Sequence, residues 1–197
     1  MSDHDHDHDH DDEPEDDDEA ERAAESEVRK RIALSQVRQY GDLVLRMRAN
    51  EVVAFDEELA RLVERLTELM HDALGVGLAA TQVGVVRRLF VFEHDGKDLV
   101  LANPRITQVG KELEVDDEGC LSLGVVRVPV ERPTEIVIEG KNAAGEEVKY
   151  ELDGMSARVA QHELDHLDGV LIVDRTDPVS RKEALARLRP RLLLAPR

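Results

Sequence analysis

At 197 residues and 41% apolar, the chain is long enough for one domain with a substantial core, and it has no apolar run near the 18 residues of a membrane span. The net charge of −18 is concentrated, because residues 1–21 hold thirteen Asp/Glu and no Lys or Arg. Aromatic residues make up 3% with no tryptophan, which argues against base-stacking recognition of nucleic acid; one unpaired cysteine fits a reducing cytoplasm, and the charged N-terminus is unlike a signal peptide.

In chain order, residues 1–27 read as an acidic, Asp/His-rich extension that is expected to be disordered, with a single domain over 28–197. His4, His6, His8 and His10 alternate with aspartates, a pattern open to weak, exchangeable metal capture or to a plain solvated tail. Asp56 can cap a helix whose apolar residues Leu59, Leu62, Val63, Leu66, Leu69, Met70 and Ala73 follow helical spacing up to Gly75. The glycine-rich run 75–84 lacks the Lys-Ser/Thr and the G-x-G-x-x-G order of phosphate loops. Its small residues followed by Gln82 fit either a tight backbone wall with one donor aimed into a cleft, or a compact turn with Gln82 at the surface.

Residues 85–93 and 98–102 read as strands flanking a turn at Asp95-Gly96. Residues 125–130, 135–139 and 146–152 read as further strands, with a turn over 142–145. A helix over 155–167 follows, capped by Asp153 and stopped by Gly169, and then a short helix over about 180–188 stopped by Pro190. Strand runs between terminal helices indicate an α+β fold rather than alternating α/β, and no internal repeat is evident.

The segment Gln161-His162-Glu163-Leu164-Asp165-His166 carries the chemistry. On a helix, His162 and His166 stack on one face, with Met155 and Val159 continuing it, and Glu163 lies roughly 100° round. Two imidazoles beside an acid/base group are the signature of metal-assisted hydrolysis, although either histidine alone would read as an ordinary helix residue. Catalytic centres of this kind usually take three protein ligands and keep one position for water. No histidine follows His166, and nothing around the downstream carboxylate Glu183 supports it as the third ligand. Cys120, within Glu118-Gly119-Cys120-Leu121-Ser122, is the better candidate. A lone cysteine is often a small buried hydrophobe, but Gly119 allows close backbone approach, and Cys/His/His is a recognised catalytic shell.

Taken in series, GVGLAATQVG, EGCLS and QHELDH resemble the three motifs of the peptide deformylase family, over about residues 28–178. One departure is Thr81, where that family usually has proline; it loses a rigid backbone position but no chemistry. The expected architecture is antiparallel or mixed sheets wrapped around a central helix carrying HExxH, with a second long helix before the glycine-rich motif. The resemblance implies that Cys120, His162 and His166 ligate one divalent metal, Fe²⁺ as the natural ion with Zn²⁺, Ni²⁺ or Co²⁺ as substitutes. It further implies that Glu163 acts as general base and then general acid while water attacks the formyl carbon. The Gln82 amide and the Leu121 N–H would hold the oxyanion.

The implied substrates are nascent polypeptides beginning with N-formylmethionine, and the products formate and a free amino terminus. Backbone near Val76, Gly77 and Gly119 would pair with the extended peptide, and Arg127 would lie near the substrate mouth. An iron–thiolate centre would be oxygen-sensitive. Glu118 and Asp165 are available to hold the outer N–H of the metal-bound histidines, and an Arg132–Asp165 pair would lock the cysteine strand against the histidine helix. The basic tail after Arg181 is open to transient ribosome contact or, more simply, to the basic end common in helices; a monomer or weak dimer is expected. Two other readings stay open: a protease using HExxH on internal peptide bonds, and a non-enzymatic metal- or peptide-binding protein.

Overall fold

In a computed structural model that describes residues 15–194, helices α1 (Glu15–Gln36) and α2 (Glu57–Asp72) precede seven strands. These are β1 (Gly77–Ala79), β2 (Leu89–His94), β3 (Lys97–Val109), β4 (Leu113–Gly119), β5 (Arg127–Pro133), β6 (Glu135–Lys141) and β7 (Glu147–Asp153). Helix α3 (Gly154–Leu167) follows, then α4 (Ile172–Arg175) and α5 (Pro178–Leu194). Five strands form a sheet in the order β1-β2-β3-β6-β7, while β4 and β5 pair as a separate hairpin, every strand pair being antiparallel. This is the α+β architecture expected, with the HExxH helix at its centre. No helix among the described residues is long and apolar enough to cross a membrane.

The period of two along β2 explains the layering. Leu89 and Val91 point into a core with Leu59, Leu66 and Met70 of α2 and Ala33 and Val37 of the α1 region. Phe90 and Phe92 point the other way, into a core with Ala157, Ala160 and Leu167 of α3. The small alanines let α3 approach the bulky rings closely. Val128 and Val130 of β5 pack with Ile172, Val173, Ala184 and Leu188 in a third cluster, and Cys120 sits at its edge.

Local signals account for most element ends. The Asp56 carboxylate accepts the Leu59 N–H at 3.1 Å and caps α2. Asp153 is the N-cap of α3 without a side-chain cap bond; instead Gly154 N–H donates to Thr134 O at 2.9 Å. Gly169 ends α3 with φ 73°, and a Cβ there would meet Arg46 O at 2.6 Å, so only glycine fits. At the Asp95-Gly96 turn both residues have positive φ, as a two-residue hairpin requires.

Several expectations are corrected. Residues 15–27, read from composition as part of a disordered extension, fall within helix α1: an acidic start suits a helix N-terminus, Ala, Glu and Arg are good helix formers, and Ala33 is buried on it. The four alternating histidines lie outside the described residues. The left-handed turn after α2 falls on Leu74 (φ 55°), one residue before Gly75. Residues 85–88 are not strand; Val85 N–H bonds Ala80 O and Arg88 N–H bonds Asn50 O. Strand β4 went unforeseen because it buries no alternating face: Leu113 and Val115 are 57% and 60% exposed. Helix α5 continues past Pro190, since a proline removes one helical bond without itself stopping the chain.

Candidate metal centre

His162 and His166 stand one turn apart on α3, their ring centroids 5.0 Å apart. Cys120 follows β4 and opens the turn Leu121–Leu123. Its Sγ lies 3.2 Å from His166 Nε2, and the available ligand atoms of Cys120, His162 and His166 all fall within 4.8 Å of one another. Glu118 Oε2 accepts from His162 Nδ1 at 3.0 Å, which leaves the other ring nitrogen for the centre. A thiol and two imidazoles, with one imidazole already oriented by a carboxylate, fit a divalent transition metal.

Burial governs the titration of this cluster. Burial works against a charged Glu118, but hydrogen bonds from His162 and Arg132 override it and hold the carboxyl at about 2. Burial also opposes a charge on His162, yet hydrogen bonds with Cys120 and Glu118 raise its pKa well above the ordinary value. His166 is pushed well below it, by burial first and then by the positive charges of His162 and Arg132. Glu163 is buried, its Oε2 has no hydrogen-bond partner among the described residues, and burial raises its pKa to about 7.

The glycine-rich motif supplies the opposite wall. Gln82 is buried, its Oε1 accepts from Ala79 N–H at 2.8 Å, and Nε2 therefore points to Ser122 Oγ at 3.2 Å and Cys120 Sγ at 3.7 Å. Of the two readings open for Gln82, the inward donor is the one realised. Thr81 is also buried, and its hydroxyl donates to His166 O at 3.3 Å, a contact that proline could not make. Gly77 presses directly on the acid: a Cβ there would meet Glu163 Oε1 at 2.5 Å and Val159 Cγ1 at 2.9 Å.

Around the cluster, Arg132 grips Glu118 with Nε and Nη2 at 2.6 and 2.9 Å and reaches Asp165 with Nη1 at 2.9 Å. The expected Arg132–Asp165 lock is present. Asp165 holds neither histidine; its carboxylate is taken by Arg132 and Arg175. Arg127 is exposed at the cleft and donates to Asp117 O at 2.6 Å. Val76, Gly77, Gly119 and Leu121 also line this cleft of about 870 Å³. The Val76 carbonyl already accepts from Glu93 N–H, so Val76 brings its N–H and its half-exposed side chain rather than a free carbonyl.

Two contributions were not foreseen. Arg158, buried on α3, donates to Glu118 Oε1 and Val130 O, both at 2.9 Å, and to Glu114 O at 3.0 Å. Its place four residues before His162, on the same helix face, is the one sequence signal that pointed to it. Residues 38–40 clamp two motifs together: Arg38 N–H bonds Gln82 O, Gln39 Nε2 bonds Leu121 O, and Tyr40 N–H bonds Ser122 O. No spacing in the sequence marks them.

A Cys/His/His set, buried but for the partly exposed His162, beside a carboxyl that burial raises to about 7, at the base of a cleft in an α+β domain, is an arrangement suited to hydrolysis. The family model for polypeptide deformylase matches residues 34–182, and the chain belongs to that family. The peptide deformylase of Thermotoga maritima is 47% identical over 146 residues, covering 74% of this chain and 89% of the relative. That of Acidothermus cellulolyticus is 46% identical over 158 residues, covering 80% and 87%. The crystal structure of the Thermotoga maritima enzyme superposes with a TM-score of 0.70, covering 72% of this chain and 97% of that one at 47% identity. The Synechococcus elongatus enzyme, solved in complex with actinonin, gives 0.74 at 40% identity, covering 78% and 85%. The chain is thus an enzyme, a hydrolase of protein biosynthesis, from a metal-dependent family that acts on formylated nascent peptides.

The contact at Gly77 yields a direct expectation. Gly77→Ala would displace the Glu163 carboxyl, and if Glu163 serves as the expected acid/base, the expected result is a kcat for deformylation lower by roughly 10²-fold with metal content unchanged, because small misplacements of such a group cost that much. Steady-state rates with metal analysis on the same sample check it; an unaltered kcat would separate Gly77 from the position of Glu163.

Proposed function

We propose that the chain removes the N-formyl group from the N-terminal formylmethionine of new polypeptides, using one divalent metal, Fe²⁺ by preference, held by Cys120, His162 and His166. Zn²⁺, Ni²⁺ and Co²⁺ suit the same thiolate–imidazole set as substitutes. The observation that carries this reading is convergence: two distant motifs bring those ligand atoms within 4.8 Å of one another beside a buried glutamate, and a third brings Gln82 Nε2 to 3.7 Å from Cys120 Sγ. When bound, the metal supplies Lewis acidity for the formyl group and for water.

The remaining steps belong to this chain's own residues. Glu163 takes a proton from the attacking water and returns it to the leaving amine; a carboxyl that burial brings to about 7 is suited to both at neutral pH. Gln82 Nε2, aimed by the bond from Ala79 N–H to Oε1, and the Leu121 N–H stabilise the developing oxyanion. Glu118 holds His162 through Nδ1, and Arg132 holds Glu118. The free edges of β1 at Gly77 and of β4 at Gly119 pair with the extended substrate backbone, and Arg127 stands at the mouth. Leu74, Val76, Val125 and Met155 are exposed apolar residues lining the cleft, and they receive the formylmethionine side chain.

A protease of internal peptide bonds would leave Cys120 and Gln82 without roles, whereas both lie at the centre. The same reading places the chain in the cytoplasm, as a monomer or weak dimer, with the basic surface of α5 after Arg181 in transient contact with the ribosome. It involves no membrane and no specific nucleic-acid recognition. The test is formate release from formyl-Met-Ala-Ser by anaerobically purified protein, chelator-stripped and then reloaded with Fe²⁺ or Ni²⁺. Release that disappears on stripping and returns on reloading is expected. No release from folded, metal-loaded protein would overturn the reading.

A further inference from the structure

Glu118 is saturated. A carboxylate offers about four acceptor sites on its two oxygens, and here all four are taken. Oε1 accepts from Arg132 Nε at 2.6 Å and Arg158 Nη1 at 2.9 Å; Oε2 accepts from Arg132 Nη2 at 2.9 Å and His162 Nδ1 at 3.0 Å. Arg132 and Glu118 belong to the two strands of one hairpin, so their pair orders that hairpin internally. Arg158 belongs to α3. Besides Glu118 it reaches the carbonyls of Glu114 on β4 and Val130 on β5, at 3.0 and 2.9 Å. One guanidinium therefore gathers both hairpin strands onto the helix.

The distances between candidate metal ligands depend on that docking. Cys120 leaves the end of β4, whereas His162 and His166 are fixed to α3, so the gap between thiol and imidazoles is set by how the hairpin sits on the helix. Two guanidinium–carboxylate clamps join them, Arg158 to Glu118 and Arg132 to Asp165, beside the bonds from His162 Nδ1 to Glu118 and from Gln161 Nε2 to Pro133 O. Residues 158 and 165 are about 10 Å apart along the helix axis, and His162 lies between them. With the hairpin pinned on both sides of His162, its ring orientation and the reach of Cys120 are determined together.

Resting on the reading of Cys120, His162 and His166 as the metal set, we infer that Arg158 is a positioning residue for the metal, acting through Glu118 and through the seat of the β4–β5 hairpin on α3. Its effect is on metal affinity, exerted before any substrate arrives. Lysine would replace it poorly, since an ammonium can meet Glu118 but lacks the fork that also spans two carbonyls.

The test is the affinity of metal-free protein for Co²⁺ alone, read from the cobalt–thiolate absorption band in competition with a chelator. Measurements are made at a temperature where wild type and variant are both fully folded by circular dichroism. Arg158→Met is expected to raise the Co²⁺ Kd by 10- to 100-fold, the range typical of losing a group that orients a metal ligand, and Arg158→Lys by less. A merely structural arginine would lower the melting temperature and leave the Kd of the folded protein unchanged; that outcome overturns the inference. Should Arg158→Met not fold, Arg158→Gln is judged by the same two readings. A wild-type chain showing no thiolate band at one Co²⁺ per chain would overturn the ligand set itself, and is recognised without reference to any variant.

Discussion

Glu163→Gln lowers formate release on the order of 10³-fold while leaving the bound metal in place. The amide keeps the size of the side chain and its burial beside Val159 and Gly77, so the pocket is retained, but it can neither accept the proton from water nor return it to the leaving amine. Activity assays paired with metal analysis check this. Loss of metal along with rate would move Glu163 from proton transfer into the ligand set.

The same substitution has a second consequence, in the stability of the metal-free protein. The folded chain keeps Glu163 protonated up to about 7, whereas the unfolded chain ionises it near the ordinary 4.5. Between those values the folded state binds more protons, so its stability falls as pH rises, by up to about 3 kcal/mol from this group. Glutamine has no proton to lose. Urea unfolding of the two metal-free proteins should therefore coincide near pH 4, with the Gln variant gaining on wild type up to pH 8. A constant difference across that range would mean that Glu163 titrates near its ordinary value. The buried acid is a cost to folding, and the proton transfer proposed for Glu163 would account for its being kept.

Cys120→Ala abolishes tight metal binding. Cys120 is the only thiol in the chain, and its removal leaves two imidazoles with no third ligand at the distances observed among the described residues. If each ligand of such a set contributes a comparable share, losing one weakens binding by about 10³-fold or more. The fold should survive, because Cys120 lies at the edge of the third core cluster and alanine removes a single sulfur. Gln82 Nε2 keeps its bond to Ser122 Oγ in the variant. Metal content after gel filtration, one ion per wild-type chain and none in the variant, is the expected result. Unchanged stoichiometry would overturn the ligand set.

The features legible in the sequence are those with a local period. The apolar spacing of α2 and its Asp56 cap, the turn at Asp95-Gly96, the stop at Gly169 and the paired histidines of α3 each depend on residues within about one or two turns of one another. Cys120 stood out as the one thiol, beside a glycine, and Gln82 as the one amide after a run of small residues, but neither stands at a spacing that by itself requires a metal or an oxyanion, so their definite roles came from the family resemblance. The segments misread were those whose local signal was weak. Strand β4 exposes its apolar residues, and α1 begins in an acidic run that composition alone assigns to disorder.

By itself, the sequence determined which groups are available: two imidazoles and an acid on one helix, one thiol beside a glycine, and one amide in a run of small residues. Tertiary structure decided which of them meet. Glu118 and His162 are 44 residues apart, Gln82 and Ser122 are 40, and Arg158 and Val130 are 28. Contacts over such separations carry no periodicity. They exist because the five-stranded sheet packs against α3 on one side while the β4–β5 hairpin is pinned to that helix by buried guanidinium–carboxylate pairs. Those pairs carry a desolvation penalty and persist only in geometry that satisfies every donor and acceptor, which is a property of the packed chain and not of any segment within it.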